Sequence, residues 1–364
     1  MLVPFLSLKK SNQKFESELL ASFQSFLEKG HYILGENVKI FENNFSTYCD
    51  SKYCTGVANG LDALILILQQ YHFKNKSEII VPANTYFASI LSIIKAGLKP
   101  ILVEPNDTDF LIDTKNISTF ITKNTVGILA VNLYGKMCDF EALNSICQNN
   151  NLKLIVDAAQ SHGAIYKNSK SCLGAHATAY SFYPSKNLGA FSDAGAVVTN
   201  DFELAENINC LRNYGSKIKY NFELQGLNSR LSELQAGFLN IKLKQLEDEI
   251  AIRRTIAARY LKEIRNDAIV LPPKASIFED SWHLFVVRSL NRKKLLTHLT
   301  EYSIGFEIHY PIPPHKQKAM TEYNNLSFPV TEKIHEQVVS LPMNSNLSDE
   351  EVNYIIDVLN KFRL

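Results

Sequence analysis

Val126-Gly-Ile-Leu-Ala-Val131 and Leu154-Ile-Val-Asp157 are short apolar runs separated by a helical pattern over Asp139 to Asn149. A strand, a helix and a second strand in that order make the unit of a parallel sheet, because parallel neighbours need a crossover. Runs apolar at every position, rather than at alternate ones, belong to strands buried on both faces. The pattern extends upstream. Lys52 to Val57, Ile79 to Val81 and Pro100 to Val103 read as strands, with helices over Leu61 to Leu68, Tyr86 to Gly97 and Asp113 to Ile121. Residues 12 to 29 read as an amphipathic helix, and Glu36 to Tyr48 as another. Downstream, Ala196 to Thr199 is a further strand. Leu231, Leu234, Phe238 and Ile241 recur at helical spacing and lead into the charged stretch 247 to 254, which implies one long connecting helix. Beyond Pro272-Pro273 come a strand over Trp282 to Arg288, a helix over Lys293 to Tyr302 and a strand over Ile304 to Tyr310. A last helix opens with the capping box Ser348-Asp-Glu-Glu351. The class is α/β: a mostly parallel central sheet with helices on both faces in a large domain, residues 1–248, and a smaller α+β domain, residues 249–364.

The 364 residues suffice for a sizeable core, and the net charge of +1 points to neither nucleic acid nor an anionic membrane. An anionic ligand must therefore be met by local groups. The six cysteines show no Cys-x-x-Cys pair and no zinc spacing. No apolar run approaches the about 18 residues of a membrane helix, and the first ten residues carry their charges after the apolar stretch. A cytoplasmic protein is expected.

Chemistry concentrates in four places. Lys186 lies in Ser181-Phe-Tyr-Pro-Ser-Lys-Asn-Leu-Gly-Ala190, crowded by aromatic and small residues, and such crowding lowers an amine's pKa and makes it a nucleophile. Asp157 ends an apolar strand in Asp157-Ala-Ala-Gln-Ser-His-Gly163, where the carboxyl edge of a parallel sheet presents it to a cleft. A carboxylate there needs a cationic partner. Asn59-Gly60 begins a helix whose free amides and dipole suit an anion. Tyr86, at the end of another strand, offers a ring to stack. A Schiff-base lysine, a carboxylate for a ring nitrogen, a stacking ring and phosphate donors are what pyridoxal phosphate requires. Dinucleotide, Walker, zinc-protease and nucleophile-elbow sequences are missing.

The chain resembles the DegT/DnrJ/EryC1/StrS family of pyridoxal-phosphate nucleotide-sugar aminotransferases. The resemblance runs through Tyr32-Ile-Leu-Gly35, Gly56-Val-Ala-Asn-Gly60, Val81-Pro-Ala-Asn-Thr-Tyr86, Asn132-Leu-Tyr-Gly135, the Asp157 and Lys186 stretches, Asn213-Tyr-Gly215, Asn228-Ser-Arg-Leu-Ser-Glu-Leu-Gln-Ala236 and His309-Tyr-Pro311. It implies the fold-type I, aspartate aminotransferase-like architecture and a homodimer with shared active sites. It implies that Lys186 holds the cofactor and shuttles the proton, that Asp157 pairs with the ring nitrogen, that Gln160 bonds the ring oxygen and that Tyr86 stacks on the ring. The phosphate would be held at Gly60, Leu61 and Ser181, and by Asn228 from the second subunit. Leu61 departs from the family's usual threonine, so only its backbone can donate.

Within the family, His309-Tyr-Pro-Ile-Pro-Pro-His-Lys-Gln317, Glu104-Pro105 and Asn59-Gly-Leu-Asp62 look most like the branch making dTDP-3-amino-3,6-dideoxyhexoses for O-antigen or other surface glycans. That resemblance implies a dTDP-3-keto-6-deoxyhexose and L-glutamate as substrates. It places Tyr183, Lys219, Arg230, His309 and Tyr310 near the sugar and diphosphate. Amination at C4 is the alternative. A sugar dehydratase, in which histidine replaces the lysine, and a non-catalytic regulator are the rivals that Lys186 and Asp157 argue against.

Overall fold

The computed structural model describes residues 1–273 and 279–364. Two helices open the chain, α1 (Leu8–Gln13) and α2 (Glu16–Lys29), where one was expected. The break falls at Phe15, whose side chain is fully buried, and α2 ends on Gly30 in the left-handed region. Next come α3 (Glu36–Tyr48), β1 (Tyr53–Val57), α4 (Gly60–Gln70), β2 (Glu78–Pro82), α5 (Phe87–Lys95), β3 (Lys99–Val103), β4 (Thr125–Val131), α6 (Phe140–Asn150), β5 (Lys153–Asp157), β6 (Ala177–Ser181), β7 (Gly195–Thr199) and α7 (Phe202–Leu211). These seven strands form one sheet in the order β1-β7-β6-β5-β4-β2-β3.

Six strands run one way and β7 runs against both neighbours. The reversal has a local cause. The β6–β7 connection, residues 182–194, contains no crossover helix, so the chain can only return antiparallel. That connection carries Lys186.

The apolar runs are buried on both faces, and successive residues divide between two cores. Ile128, Ala130, Leu154 and Val156 pack with Phe41 and Phe45 of α3 and with Phe140 and Leu143 of α6. Leu129, Ile155, Ala179 and Val197 pack on the opposite face with Leu64 and Ile67 of α4, Ile90 of α5 and Ile208 of α7. A strand with a helix layer on each side has no polar alternation to show.

A hairpin, β8 (Ser216–Ile218) and β9 (Asn221–Phe222), precedes α8 (Glu233–Leu243) and α9 (Leu246–Glu263). The single long connecting helix is thus two, divided at Lys244-Gln245, where three acidic residues begin α9 and suit a helix N-terminus. The remainder is β10 (Phe285–Arg288), α10 (Arg292–Glu301), α11 (Pro329–Gln337), β11 (Val338–Leu341) and α12 (Asp349–Lys361). Here β10 pairs antiparallel with β11 over a third core of Trp282, Phe285, Leu295, Val339 and Ile355. Ser348 and Glu351 form the expected capping box.

Two expected elements are absent. Instead of a helix over 113–121 there is a single 3-10 turn, Ile117–Phe120. Asp113 accepts from the Lys115 N–H and the Asn116 side chain, and Thr119 Oγ1 donates to the Asn116 carbonyl, so local side chains take over the backbone's role. Residues 304–310 make only isolated bridges, Ile304 to Val3 and Glu307 to Ser340, because the N-terminal segment crosses there. A Cβ on Gly305 would stand 2.3 Å from the Phe5 nitrogen. No helix among the described residues is long and apolar enough to cross a membrane.

One carboxylate ties the first and second halves of the large core. Glu233, on α8, accepts from the N–H groups of Gly35 (3.0 Å), Asn37 (2.6 Å) and Val38 (3.2 Å) at the start of α3. It satisfies donors that Gly35, having no side chain, leaves open. A Cβ at Gly35 would lie 2.8 Å from the carboxyl, so glycine is what lets α8 approach. Glu233→Ala should strand these donors and lower stability by on the order of 3 kcal/mol, read as a fall in the unfolding midpoint in urea.

Candidate active site

Parallel strands deliver their carboxyl ends to one edge of the sheet, and the predicted residues collect there. Asp157 closes β5, and its backbone lies in register with Val131 and Ala179. Tyr86 caps α5 just beyond β2, Ser181 closes β6, and Asn59-Gly60 turns from β1 into α4. The reversed β7 starts at the same edge, with Gly195 opposite both Ser181 and Val57.

Glycine makes that corner possible. A Cβ on Gly60 would stand 2.7 Å from Ser181 Cβ, and one on Gly195 would stand 2.4 Å from the Asn59 carbonyl carbon. The α4 N-terminus and the end of β6 are thereby drawn together. Asn59 caps α4 through a bond from the Asp62 N–H (2.8 Å), which leaves the N–H groups of Gly60 and Leu61 and the Ser181 hydroxyl as donors at one spot. The Leu61 side chain adds no donor.

Asp157 is 7% exposed, with Ser89 Oγ donating to Oδ2 at 2.7 Å and the Ala159 N–H donating to Oδ1 at 3.1 Å. Burial raises its pKa, opposed by the Ser89 and Ala159 bonds and by the charge of Lys186. Its bond from the Ala159 N–H closes a turn at the end of β5. Lys186 is half-buried, and its N–H bonds the Tyr183 carbonyl within the tight turn. Desolvation lowers its amine to about 8, against the pull of Asp157 in the other direction. The two central charges, one from β5 and one from the loop beyond β6, thus lie within each other's electrostatic influence.

Gln160 joins this pair to the C-terminal part of the chain. Its Oε1 accepts from the Tyr134 N–H and its Nε2 donates to the Tyr310 hydroxyl, each at 2.8 Å. Tyr310 in turn lies 5.4 Å from the Tyr86 ring centre. His309 Nδ1 meets Ser340 Oγ at 2.8 Å, and the Tyr134 hydroxyl donates to the His309 carbonyl. Burial and then the charge on Lys186 lower His309 to about 4, so its ring is neutral. His162, five residues after Asp157, is packed among Phe45, Tyr180 and Phe182, and burial lowers it to about 3. Tyr183 and Tyr86 are exposed at the mouth.

Three predicted residues have partners other than the residues described above. Lys219 sits between β8 and β9 with its ammonium 5.1 Å from the Tyr220 ring centre. Arg230 donates to Asn213 Oδ1 at 3.0 Å and lies over Tyr214, and exposed Asn228 bridges to Asn213. Ser89, which bonds Asp157 directly, went unnoticed in the sequence. Thr85 and Ser89, four residues apart at a helix start, carried a legible signal of a shared face. Asn187, next to Lys186, is held by the Ser281 carbonyl and by His283, partners too distant in sequence to be read from it.

The solved structure of DesV from Streptomyces venezuelae in complex with a ketimine intermediate matches with a TM-score of 0.96 at 39% identity, covering 99% of this chain and 98% of that one. NtdA from Bacillus subtilis with bound cofactor PMP matches with a TM-score of 0.92 at 30% identity, over 98% and 84% of the two chains. A dTDP-3-amino-3,6-dideoxy-alpha-D-galactopyranose transaminase from Aneurinibacillus thermoaerophilus is 49% identical over 361 residues, 99% of each chain. Fold and relatives together define a pyridoxal-phosphate-dependent aminotransferase of α/β, fold-type I architecture. The chain belongs to the DegT/DnrJ/EryC1/StrS aminotransferase family, whose sequence pattern matches residues 13–360. The residues at the sheet edge suit the cofactor: a glycine cradle for a phosphate, a buried carboxylate and an amine that loses its proton easily.

In cofactor-free protein, Lys186 should react with acetic anhydride in competitive labelling with a midpoint near pH 8. Asp157→Asn should move the midpoint lower, because the carboxylate favours the ammonium form. A midpoint in the ordinary lysine range, near ~10.4, would show that the amine is not desolvated.

Proposed function

We propose that the protein transfers the amino group of L-glutamate to a dTDP-3-keto-6-deoxyhexose, giving a dTDP-3-amino-3,6-dideoxyhexose and 2-oxoglutarate for a surface glycan such as O-antigen. The observation that carries this reading is near-full-length identity of 49% to a transaminase named for that class of product. The cofactor supplies a carbonyl that takes up amino groups and a ring that delocalises the electrons left when a C–H bond breaks. The chain's residues do the rest. Lys186 Nζ binds the cofactor at rest. Once displaced as a neutral amine, it takes the proton from the α-carbon of glutamate, and its lowered pKa makes that form accessible near neutral pH. Nζ would then pass that proton to the carbon that bore the cofactor's carbonyl, and in the return half-reaction would take a proton from that carbon and deliver it to C3 of the sugar. Asp157 would keep the ring nitrogen protonated, Gln160 would bond the ring oxygen, and Tyr86 would cover the ring. The Gly60 and Leu61 amides and Ser181 would hold the phosphate.

Tyr183, His309 and Tyr310 line the sugar's side of the cleft. Lys219, Arg230 and Asn228 act in a homodimer, where a second copy brings them to the neighbouring site. Support for the dimer comes from apolar side chains left uncovered near them: Ile218, Tyr220 and Phe222 on the hairpin, and Leu20, Phe23 and Leu27 along one face of α2. The domain division at residues 248/249 falls within α9, which gives Leu246 and Ile250 to a sheet core and Ile256 and Tyr260 to the C-terminal core. Six free cysteines suit the reducing cytoplasm.

Purified enzyme offered dTDP-3-keto and dTDP-4-keto sugars with glutamate should aminate the 3-keto sugars, as read by NMR of the product. Amination at C4 alone would overturn the assignment. Lys186→Ala should abolish turnover while the protein stays folded. Lys219→Ala should raise KM for the nucleotide sugar by about tenfold or more with little change for glutamate, since a lost point charge acts on the diphosphate. An equal rise for both substrates would remove Lys219 from the sugar site.

A further inference from the structure

Thr85 and Ser89 flank the first turn of α5, and their hydroxyl oxygens are 2.8 Å apart. Ser89 Oγ reaches Asp157 Oδ2 at 2.7 Å. Thr85 is 1% exposed and Ser89 0%, so water does not compete for either group. A hydroxyl has one proton to give, and an ionised carboxylate only accepts. With Asp157 ionised, the Ser89 proton must point to Oδ2, and Thr85 must then donate to Ser89. The result is a one-way chain, Thr85 to Ser89 to Asp157, in a dry interior where each bond polarises the next. The Ala159 N–H occupies the other carboxylate oxygen. A further bond, from Ser92 Oγ to the Ser89 carbonyl (2.7 Å), steadies the turn that carries the relay.

We propose that Thr85 and Ser89 are positioning residues that fix Asp157 as an oriented anion, and through it keep the ring nitrogen of the cofactor protonated. The inference rests on Asp157 being the partner of that nitrogen. A hydrogen bond donated to a carboxylate lowers its basicity. Without the Ser89 hydroxyl, Asp157 competes harder for the ring proton, and the ring becomes a weaker electron sink. A hydroxyl pair that merely filled the core would leave the nitrogen's protonation unchanged.

The test reconstitutes the full-length apoenzyme with 15N-labelled pyridoxal phosphate and records the ring-nitrogen NMR signal at one fixed pH, together with the cofactor Kd of the apoenzyme. Ser89→Ala should move the signal toward the unprotonated nitrogen and weaken cofactor binding by roughly tenfold, the scale of one hydrogen bond to a charged group. Thr85→Val, which leaves Ser89 in place, should move it the same way by less, and Ser89→Thr should restore it. A folded Ser89→Ala protein with the wild-type signal and Kd overturns the proposal. If Ser89→Ala does not fold, an unshifted signal in Thr85→Val overturns it instead. Asp157→Asn separates the two levels. A signal moved by Asp157→Asn but not by Ser89→Ala removes the relay alone, and a signal moved by neither removes the role of Asp157 with it.

Discussion

A carboxylate at the end of a strand buried on both faces must be matched, because an unpaired charge in such a place costs more than the strand's packing can offset. Asp157 is that carboxylate, and much of the site's construction follows from it. The Ser89 hydroxyl comes from the helix after β2, the Ala159 N–H from the turn after β5, and the opposing charge of Lys186 from the loop after β6. Three separate segments converge because their strands end at one edge of one sheet. The match is incomplete in the chain alone, since burial still raises the carboxyl's pKa and lowers that of the amine. Opposed shifts of this kind, in groups gathered at a sheet's edge, are typical of functional sites.

The reversed strand β7 has a matching role. Because the chain returns directly from β6, the loop holding Lys186 is pinned at both ends in the sheet, at Ser181 and Gly195. Asn187 anchors its middle to Ser281 and His283 of the C-terminal part. The lysine thus sits on a short loop held at three points, which fixes where its side chain starts. The buried Lys136–Asp280 ion pair, at 2.5 Å, and the three bonds from Val330 and Thr331 to Glu104 further clamp the C-terminal elements to the sheet's edge. His309 bonds Ser340 on β11, the strand that directly follows α11.

Much of this was legible in the linear sequence. The doubly buried strands announce themselves by uninterrupted apolar runs, and α3, β4, α6 and β5 fall within a residue or two of where those runs put them. Asp157 and Lys186 were legible because each sits at a punctuation point between an apolar strand and a turn. Local chemistry misled the reading at 113–121, where Asp, Asn, Ser and Thr hold a turn against helical periodicity. The segment 304–310 misled it too, since an extended pattern does not reveal whether a partner strand lies beside it.

The sequence by itself determined the α/β class, the places of Asp157 and Lys186 beside strand ends and the place of glycine at Gly60, because periodicity, residue type and chain reversal are local properties. Only the tertiary structure decided that β7 runs backwards, that His162 is packed among aromatic rings rather than offered to a ligand, that Gln160 joins Tyr134 to Tyr310, and that Thr85 and Ser89 stand behind Asp157. Each of these depends on which groups meet across tens or hundreds of residues. Such meetings are fixed by the packing of two helix layers on one sheet.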